Sequence, residues 1–482
     1  MTVEKAFNKL KTIAEGLSIF AIDIISVLII FKLSYIIRTE LLPLIYSGFP
    51  EELPFSNFIY IWLIIFIWVF FFYYEGLYTK KYSFWDEIKA LWNVSFFSTV
   101  GIFAIASVGK LSDEISRTVV VLMGVLSILM LPLIRIASKK FFRRLGFLKR
   151  RVLILGAGET GRLIATALKK EPNYGYEVIG FLDDDPEKIG KDVDGVKIHK
   201  GVDKAFNYIT RCNIRDIVIA MPGAGKERLQ GLINELQHKV ERILFVPDMF
   251  GMAVLGTSLQ HFFHEQAFAL EVKNNLERPL NIFIKKCFDF LIGSLLILFL
   301  AIPMVIIAAL IKLDSEGSVI FLQDRVGKKG KGFRCYKFRT MYKDAGKRLE
   351  ELLANNEESK KEWDKFWKLR DDPRVTRIGQ FLRKTSLDEL PQLFNVLKGE
   401  MSIVGPRPYL PDEVKKVGEK MDVCLNVTPG ITGLWQVSGR SNASYDYRIA
   451  LDSWYVRNWN LWLDIVILFK TVRIVLKREG AF

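Results

Sequence analysis

Long apolar runs near the start of the chain limit its fold more than any other feature. Each of the first four has about the 20 residues that a bilayer-spanning helix requires. These runs are Leu17–Ile37, Phe55–Tyr74, Leu91–Val108 and Thr118–Ile134. Asp23 and Lys32 lie within the first run, where a charge either marks a functional path or faces the bundle interior or an interface. The pattern predicts a multidomain membrane protein that begins with a four-helix transmembrane bundle over residues 1–145.

Charged residues beside the apolar runs predict the orientation of this bundle. Lysines and arginines collect before the first run, between the second and third, and after the fourth, whereas the other two loops carry mainly acidic residues. The positive-inside rule therefore places both ends of the bundle in the cytoplasm. The formal net charge of +15 suits an anionic membrane surface or phosphorylated substrates. We expect a multi-pass protein of the cell (inner) membrane that contacts membrane lipid and no nucleic acid.

A second pattern follows the bundle, in which apolar strands alternate with helices. The segment RVLILGAGETGRLIATALKK, from Arg151 to Lys170, leads a strand through a glycine-rich turn into a helix. Further strands are predicted at Glu177–Leu182, Asp216–Ala220 and Arg242–Val246. Such alternation is typical of a parallel sheet covered by helices. The sequence predicts a small Rossmann-like α/β domain over residues 146–265.

The glycines of this domain form a GxGxxG motif that leaves two interpretations open. Gly156, Gly158 and Gly161 lie between strand and helix, and Asp183 follows where a dinucleotide-binding fold places its ribose-binding acid. A pyrophosphate could approach the helix N-terminus there, which would make the domain a nucleotide site. However, the second half of a full dinucleotide fold is missing. The alternative is a tight turn in a regulatory or dimerising spacer.

A fifth apolar run, Phe288–Ile311, contains Pro303. Basic residues flank the run on both sides, so the positive-inside rule gives no preferred orientation for a simple span. Proline inside a helix removes a hydrogen bond and favours a bend. The sequence therefore predicts a re-entrant membrane helix over residues 283–312 that enters and leaves on the cytoplasmic face. An ordinary kinked span is the alternative.

The richest cluster of charged groups lies between residues 381 and 408. No histidine occurs beyond residue 311, so acid–base or nucleophilic chemistry falls to carboxylates assisted by arginines and lysines. Asp388 and Glu389 are adjacent, and Arg383 and Arg407 are suited to clamp phosphate. One carboxylate could attack phosphorus while the other holds a metal or steers a proton. Ser386-x-x-Glu389 also has the form of a capping box, so a structural role for Glu389 is an equal alternative.

Four segments of the C-terminal region resemble the bacterial sugar transferase family of polyprenyl-phosphate phosphoglycosyl transferases. One of them is SLDELPQLFNVLKGEMSIVGPRP, and the whole set is Gln323–Met341, Ser386–Pro408, Thr428–Ser441 and Asp452–Thr471. These motifs are long, ordered and specific. The resemblance implies a mostly α catalytic domain over residues 278–482, and the bundle and the α/β domain resemble the large form of the family.

The resemblance implies a two-step reaction. Asp388 attacks the β-phosphorus of a UDP-sugar, UMP leaves, and undecaprenyl (polyprenyl) phosphate then takes the sugar phosphate from the enzyme. Mg²⁺ is the implied cofactor, with Asp388 and Glu389 at the metal. Arg383 and Arg407 are expected at phosphate groups. The product, undecaprenyl-diphospho-sugar, would begin exopolysaccharide, capsule or O-antigen synthesis.

Other features of the resemblance are less specific. Gln436 and Arg440 are weaker candidates for nucleotide contact. The sugar is expected to be galactose or glucose. The oligomeric state stays open, with a homodimer as one option.

Two competing functions predict different features. A membrane-anchored NAD(P)-dependent enzyme that modifies nucleotide sugars would act through the GxGxxG domain, but no YxxxK pair follows the glycines. A scaffold for polysaccharide assembly would leave the arginines and carboxylates around Asp388 unexplained.

Overall fold

The computed structural model describes residues 2–46, 48, 60–111, 115–247, 258–262, 267–271, 275–357, 372–417, 421–438 and 445–477. The chain forms two compact units, Met1–Asp248 and Met249–Phe482. The predicted bundle and most of the predicted α/β domain share the first unit, and the predicted catalytic domain lies in the second.

Four apolar helices open the first unit, as the hydropathy pattern predicts. They are α1 (Thr2–Ile36, extended by a π-helical segment Ile37–Leu41 and a short turn Leu42–Ile45), α2 (Ile61–Glu75), α3 (Phe84–Val108) and α4 (Arg117–Arg144). The Ser83 hydroxyl caps α3 by accepting from the Asp86 N–H, and Gly76 ends α2 in the left-handed region. Segments Ile13–Ile45, Phe84–Val108 and Arg117–Arg144 are long and apolar enough to cross a bilayer, while α2 is shorter.

A buried ion network joins the helices of the bundle to the α/β domain. The Arg135 guanidinium contacts Asp23 at 2.5 Å and Glu87 at 2.7 Å. Glu87 also pairs with Lys139 at 2.5 Å and accepts from the Asn173 side-chain amide at 2.6 Å. Asp23 and Arg135 are each 2% exposed. The intramembrane acid at Asp23 is therefore directed into the bundle and neutralised there.

The remainder of the first unit is an α/β domain built on a six-stranded sheet in the order β3-β4-β2-β1-β5-β6. Strands β4, β2, β1, β5 and β6 run parallel, and β3 is antiparallel to β4. The strands are β1 (Arg150–Leu155), β2 (Tyr176–Asp183), β3 (Asp192–Val193), β4 (Val196–Lys200), β5 (Asp216–Ile219) and β6 (Arg242–Phe245). Helices α5 (Glu159–Lys170), α6 (Ala205–Cys212) and α7 (Lys226–Leu236) connect them. The predicted parallel sheet is thus confirmed.

The second unit surrounds one long helix, α8 (Pro279–Asp314), with short elements. The strands are β7 (Ser258–Phe262), β8 (Ala267–Glu271), β9 (Ile320–Val326), β10 (Gly332–Phe338), β11 (Ser402–Val404) and β12 (Gly430–Thr432). The helices are α9 (Ala345–Asn355), α10 (Arg377–Thr385), α11 (Gln392–Leu397), α12 (Pro411–Val417), α13 (Asp422–Leu425), α14 (Tyr445–Asn458) and α15 (Leu461–Lys477). β9 and β10 form an antiparallel hairpin, and β11 and β12 pair in parallel.

Helix α8 is continuous, with Pro303 inside it. In its first half, the Lys285 ammonium pairs with Asp464 of α15 at 2.7 Å and with Asp289 one turn on at 3.1 Å. The Asp289 carboxylate in turn accepts from the Ile403 N–H at 3.2 Å. This half of the helix is therefore fixed to the globular part of its unit by buried charges.

The second half of α8 packs on the same unit through apolar contacts. Its buried residues form one core with side chains of β10 and α10: Met304, Ile307, Ile311, Phe338 and Leu382. Between the two fixed halves, large apolar side chains face outward, namely Leu298, Phe299 and Ile302. The helix thus contacts its own unit near both ends and exposes apolar surface in the middle.

Candidate active site

The adjacent carboxylates lie on a short 3₁₀ turn between two helices. Helix α10 ends at Thr385, Ser386 follows in the left-handed region with φ 55°, and the turn comprises Leu387–Glu389. The Ser386 side chain makes no capping hydrogen bond there. The capping-box interpretation of Glu389 is therefore wrong, because Ser386 ends α10 and precedes only this 3₁₀ turn, while the next α-helix begins after Pro391.

Glu389 is held by a basic residue from the hairpin instead. The Lys337 ammonium on β10 donates to the Glu389 carboxylate at 2.7 Å. Both side chains are partly exposed. Sequence analysis left two roles open for Glu389, a helix cap and a catalytic group. In the structure its carboxylate forms an ion pair near the surface of the unit.

Asp388 retains more proton affinity than an ordinary aspartate. Burial, followed by the negative charge of Glu389, raises the pKa of the Asp388 carboxyl to about 6. The charges of Lys337 and Arg383 act in the opposite direction but do not compensate. At neutral pH the group is ionised yet poorly neutralised, which is the state that a carboxylate nucleophile or a cation ligand requires.

Arg383 stands close enough to this carboxyl to affect its pKa. Its Nε donates to the Thr340 hydroxyl at 3.0 Å. This bond leaves the two terminal nitrogens of the guanidinium as donors to an incoming anion. Asp388, Glu389 and Arg383 are therefore brought together as predicted, with Lys337 added.

Arg407 lies in a neighbouring group formed by the loop after β11. Its guanidinium carbon is 5.9 Å from the centre of the Trp435 ring, whose other cationic neighbour is Arg448 at 4.9 Å. The backbone N–H of Arg407 donates to the Asp452 carboxylate at 3.3 Å, and the Tyr409 hydroxyl donates to the same carboxylate at 2.7 Å. Burial of Asp452 raises its pKa to about 7. Asp452 thus orients the loop that carries Arg407.

Gln436 and Arg440 are the two residues predicted to contact the nucleotide. The Gln436 side-chain amide donates to the Ile431 carbonyl at 3.4 Å, while its Oε1 is buried without a partner among the described residues. Gln436 therefore has one free acceptor next to the Arg407 group. Arg440 lies outside the described residues, so its predicted nucleotide contact stays a prediction.

Arg325 connects the two groups electrostatically. Burial is the main cause that lowers the pKa of Arg325. The charge of Arg407 lowers it further, whereas the charge of Glu389 raises it. Its guanidinium is fixed by donation to the Pro408 carbonyl at 3.1 Å and to Gln323 at 2.9 Å. Arg325 therefore adds a buried positive charge near both groups, which suits a polyanionic ligand.

A divalent cation suits this donor set only together with a substrate. Among the described residues, no group of three or more histidine, cysteine or acidic side chains could hold a metal. Mg²⁺ commonly binds through one or two carboxylates plus substrate phosphates and water. Asp388, whose pKa is raised by burial and then by the negative charge of Glu389, fits that pattern.

The glycine motif of the α/β domain has a different geometry at each position. Gly156 has φ +98°, and an added Cβ would lie 2.6 Å from the Ala220 carbonyl oxygen. A Cβ at Gly161 would lie 2.1 Å from the Gly156 carbonyl oxygen. Gly158, by contrast, caps the N-terminus of α5 with open space around it. Folding explains the first and third glycines, whereas the middle one leaves room for a ligand.

Asp183 is the last residue of β2, one residue beyond the predicted strand, and its carboxylate already accepts hydrogen bonds from the glycine loop and from the turn that follows β2. One carboxylate oxygen accepts from the Ala157 N–H at 2.7 Å and the other from the Asp185 N–H at 2.9 Å. Lys188 lies 3.6 Å from it. A ribose would therefore have to compete with these bonds.

Comparison with known proteins separates the candidate functions. The bacterial sugar transferase model matches residues 280–478, and a CoA-binding domain model matches residues 72–247. Undecaprenyl-phosphate galactose phosphotransferase of Salmonella typhimurium is 38% identical over 84% of both chains. The chain belongs to the bacterial sugar transferase family.

Two further proteins are more distantly similar to this sugar transferase. UDP-glucose:undecaprenyl-phosphate glucose-1-phosphate transferase of Klebsiella pneumoniae is 32% identical over 71% of this chain and 70% of its own length. UDP-D-quinovosamine 4-dehydrogenase of Vibrio fischeri is 27% identical and covers 21% of this chain and 80% of that one. The TM-score of this match is 0.19, which is too low to indicate a shared overall fold. The relatives do not favour the alternative of an NAD(P)-dependent enzyme.

Sequence analysis did not single out three residues of the candidate site: Lys337, Thr340 and Arg325. All three lie within the motif Gln323–Met341, which contributed to the resemblance without assigned roles. The alternation of side chains along β10 could have indicated that Lys337 and Cys335 share one face, but not that this face meets Glu389. That pairing spans 52 residues of sequence and depends on tertiary structure.

Proposed function

We propose that this membrane-bound sugar transferase moves a hexose 1-phosphate from a UDP-hexose to undecaprenyl phosphate and releases UMP. The observation that carries the proposal is the Asp388 carboxyl, whose pKa is raised to about 6 beside Glu389, Lys337 and Arg383. The names of the relatives support hexose 1-phosphate and undecaprenyl phosphate as substrates, and include both galactose and glucose. The product would enter the synthesis of exopolysaccharide, capsule or O-antigen.

The proposed chemistry has two displacements at one phosphorus atom. A carboxylate oxygen of Asp388 attacks the β-phosphorus of the UDP-hexose, and the bond from that phosphorus to the bridging oxygen breaks. UMP leaves with the bridging oxygen and its electron pair. An oxygen of undecaprenyl phosphate then attacks the same phosphorus, which frees the Asp388 carboxylate and forms the diphosphate linkage.

The surrounding residues position the anions for both displacements. Arg383 keeps its terminal nitrogens available for the phosphate under attack, because among the described residues its one hydrogen bond runs from Nε to Thr340. Lys337 holds Glu389 and limits the repulsion between that carboxylate and the substrate. Arg407 and Gln436 would meet the nucleotide end of the donor. Mg²⁺, held by Asp388 and Glu389 together with the diphosphate, would neutralise charge on the leaving group.

The proposal requires the site to face the compartment that holds nucleotide sugars. We propose that α8 is re-entrant and that the α/β domain and catalytic unit both lie on the cytoplasmic face of the inner membrane. Support comes from the attachment of both halves of α8 to one globular unit, with exposed Leu298, Phe299 and Ile302 between them. A bend near Pro303 would let this segment dip into the bilayer and return.

The deciding experiment measures UMP release by the full-length protein in nanodiscs. A panel of UDP-sugars is supplied with Mg²⁺, with and without undecaprenyl phosphate. We expect continuous UMP release and a lipid-linked diphosphosugar only when the lipid phosphate is present. Without that lipid, a single turnover should leave labelled sugar phosphate on the protein. Absence of UMP release with every UDP-sugar would contradict the proposal.

A second ligand, a nucleotide in the α/β domain, is proposed on the geometry of Gly158. The backbone does not require glycine at this position, and a Cβ would meet nothing within 4 Å. Open space at the N-terminus of the 12-residue helix α5 would admit a phosphate. The engaged Asp183 carboxylate would then exchange its bond with the Ala157 N–H for one with ribose.

Two glycine variants test the second ligand. Gly158→Ala should fold normally but lose several-fold in affinity for the nucleotide, because its methyl group occupies the phosphate position. Gly161→Ala should destabilise the domain whether or not a ligand binds, since its Cβ would overlap the Gly156 carbonyl oxygen. Calorimetry with UDP, UMP, NAD and CoA measures the affinity. Equal affinity of wild type and Gly158→Ala, or no binding by either, would contradict the proposal.

A further inference from the structure

A cavity of about 420 Å³ opens beside the first half of α8, in the catalytic unit. Neither Asp388 nor Glu389 lines this cavity, but residues at the far end of α11 do, including Leu397. The carboxylate turn precedes the first residue of α11, so the six-residue helix separates the two places by about 8 Å along its axis. The cavity is therefore distinct from the proposed reaction site.

Four lysines line this cavity: Lys285, Lys286, Lys328 and Lys398. Lys285 is neutralised by Asp289 and Asp464, and Lys398 is bonded to the Tyr336 hydroxyl.

Lys286 and Lys328 have no ion pair with a carboxylate among the described residues. They are close enough to act on each other, since the charge of Lys286 adds to burial in lowering the pKa of Lys328. Two unneutralised cations that face one cavity form a site for an anion.

The rest of the cavity wall is mainly apolar. Ile282, Phe290 and Leu397 line it, and Phe290 and Leu397 are also exposed at the surface. The exposed side chains of Phe283 and Leu291 continue this apolar surface along α8, which is long and apolar enough to cross a membrane. A ligand that fits must therefore combine a negative head with an apolar tail, as lipids at a membrane interface do.

We propose that this cavity binds the headgroup phosphate of an anionic glycerophospholipid, with Lys286 and Lys328 on the phosphate and an acyl chain along Phe290. The bound lipid is a resident ligand and not the acceptor of the reaction, because α11 separates its phosphate from Asp388. Such a lipid fixes the depth at which the first half of α8 enters the interface. The proposal does not depend on the identity of the transferred sugar.

The test uses the full-length protein in nanodiscs of phosphatidylcholine with increasing phosphatidylglycerol, and native mass spectrometry counts the lipid retained. The variant is Lys286→Gln/Lys328→Gln. The matched control is Lys331→Gln/Lys343→Gln, which removes two charges from exposed positions of the same unit that do not line the cavity. We expect phosphatidylglycerol to be retained by wild type and control, and about tenfold more weakly by the cavity variant.

Competition identifies the source of the phosphate, and thermal unfolding checks that each variant is folded. If the double variant is unstable, Lys328→Gln alone should show a smaller loss in the same direction. Inorganic phosphate should not displace the phospholipid. Equal retention by all three proteins, or displacement by inorganic phosphate or by undecaprenyl phosphate, would overturn the proposal.

UMP release separates this proposal from the proposed function. The cavity variant should still transfer sugar phosphate onto Asp388 in a single turnover. Loss of that step in wild type as well would contradict the proposed function and leave the lipid result unaffected.

Discussion

Two acidic sites of this sugar transferase handle negative charge in opposite ways. In the bundle, Asp23 and Glu87 are buried, and each meets the Arg135 guanidinium within 2.7 Å. In the catalytic unit, Asp388 and Glu389 are adjacent, and Lys337 pairs with Glu389 alone. The bundle acids are each paired with a cation, and removing such a partner destabilises a fold, whereas Asp388 makes no ion pair among the described residues and keeps a raised pKa. A raised pKa alone does not make this distinction, because Asp452, which orients the loop that carries Arg407, also has a pKa raised to about 7.

The largest effect is expected for Asp388→Asn. An amide cannot attack phosphorus, so turnover should fall by roughly a thousandfold or more. The protein should nevertheless stay folded. Folding raises the pKa of Asp388, so its ionisation opposes folding as the pH rises, and removing the charge at pH 7 should leave stability unchanged or slightly higher.

Two measurements check this prediction: UMP release and thermal unfolding of the same preparation. Asp412→Asn is the control, because it makes the same chemical change at an exposed position of α12. Full activity of Asp388→Asn would remove the nucleophile from the proposed chemistry. If Asp388→Asn did not fold, Asp388 would be needed for stability, as the buried acids of the bundle are.

Arg135→Met should destabilise the protein, in contrast to Asp388→Asn. It leaves Asp23 and Glu87 buried with one cation fewer, and breaking a buried ion network in this way costs about 3–5 kcal/mol. Lys140→Met removes the same charge from an exposed position on α4 and should cost less than about 0.5 kcal/mol. The midpoint of thermal unfolding in nanodiscs measures both. Equal stability of the two variants would mean that the network does not hold the bundle.

Sequence analysis predicted the elements whose signal is local. Hydropathy located α1 through α4, and the strand–glycine–helix pattern located β1 and α5, because each depends on residues within one or two turns. The motif around Asp388 likewise identified the carboxylates before their geometry was known. These predictions needed no information about distant residues.

The failures share one cause, which is tertiary pairing. The spacing of Ser386 and Glu389 is that of a capping box, but the left-handed conformation of Ser386 and the Lys337 ion pair decide otherwise. Arg135 was expected only as a basic flank of the fourth apolar run, yet it is the centre of the buried network. No local pattern reveals a partner that lies tens of residues away.

The smallest expected effect comes from changing the charged neighbours of Asp388 while Asp388 itself stays intact. Glu389 raises the pKa of Asp388 and Lys337 lowers it. Glu389→Gln should therefore move the acid limb of the first half-reaction to lower pH, and Lys337→Met should move it to higher pH, each by roughly one unit or less from a wild-type value of about 6. Single-turnover UMP release at saturating Mg²⁺, measured from pH 5 to 8, gives the midpoints independently of any change in maximal rate. Opposite shifts are expected only if the ionised Asp388 carboxylate limits this step. Shifts in the same direction, or none, would indicate that another group controls it and that the unmatched charge at Asp388 is incidental to catalysis.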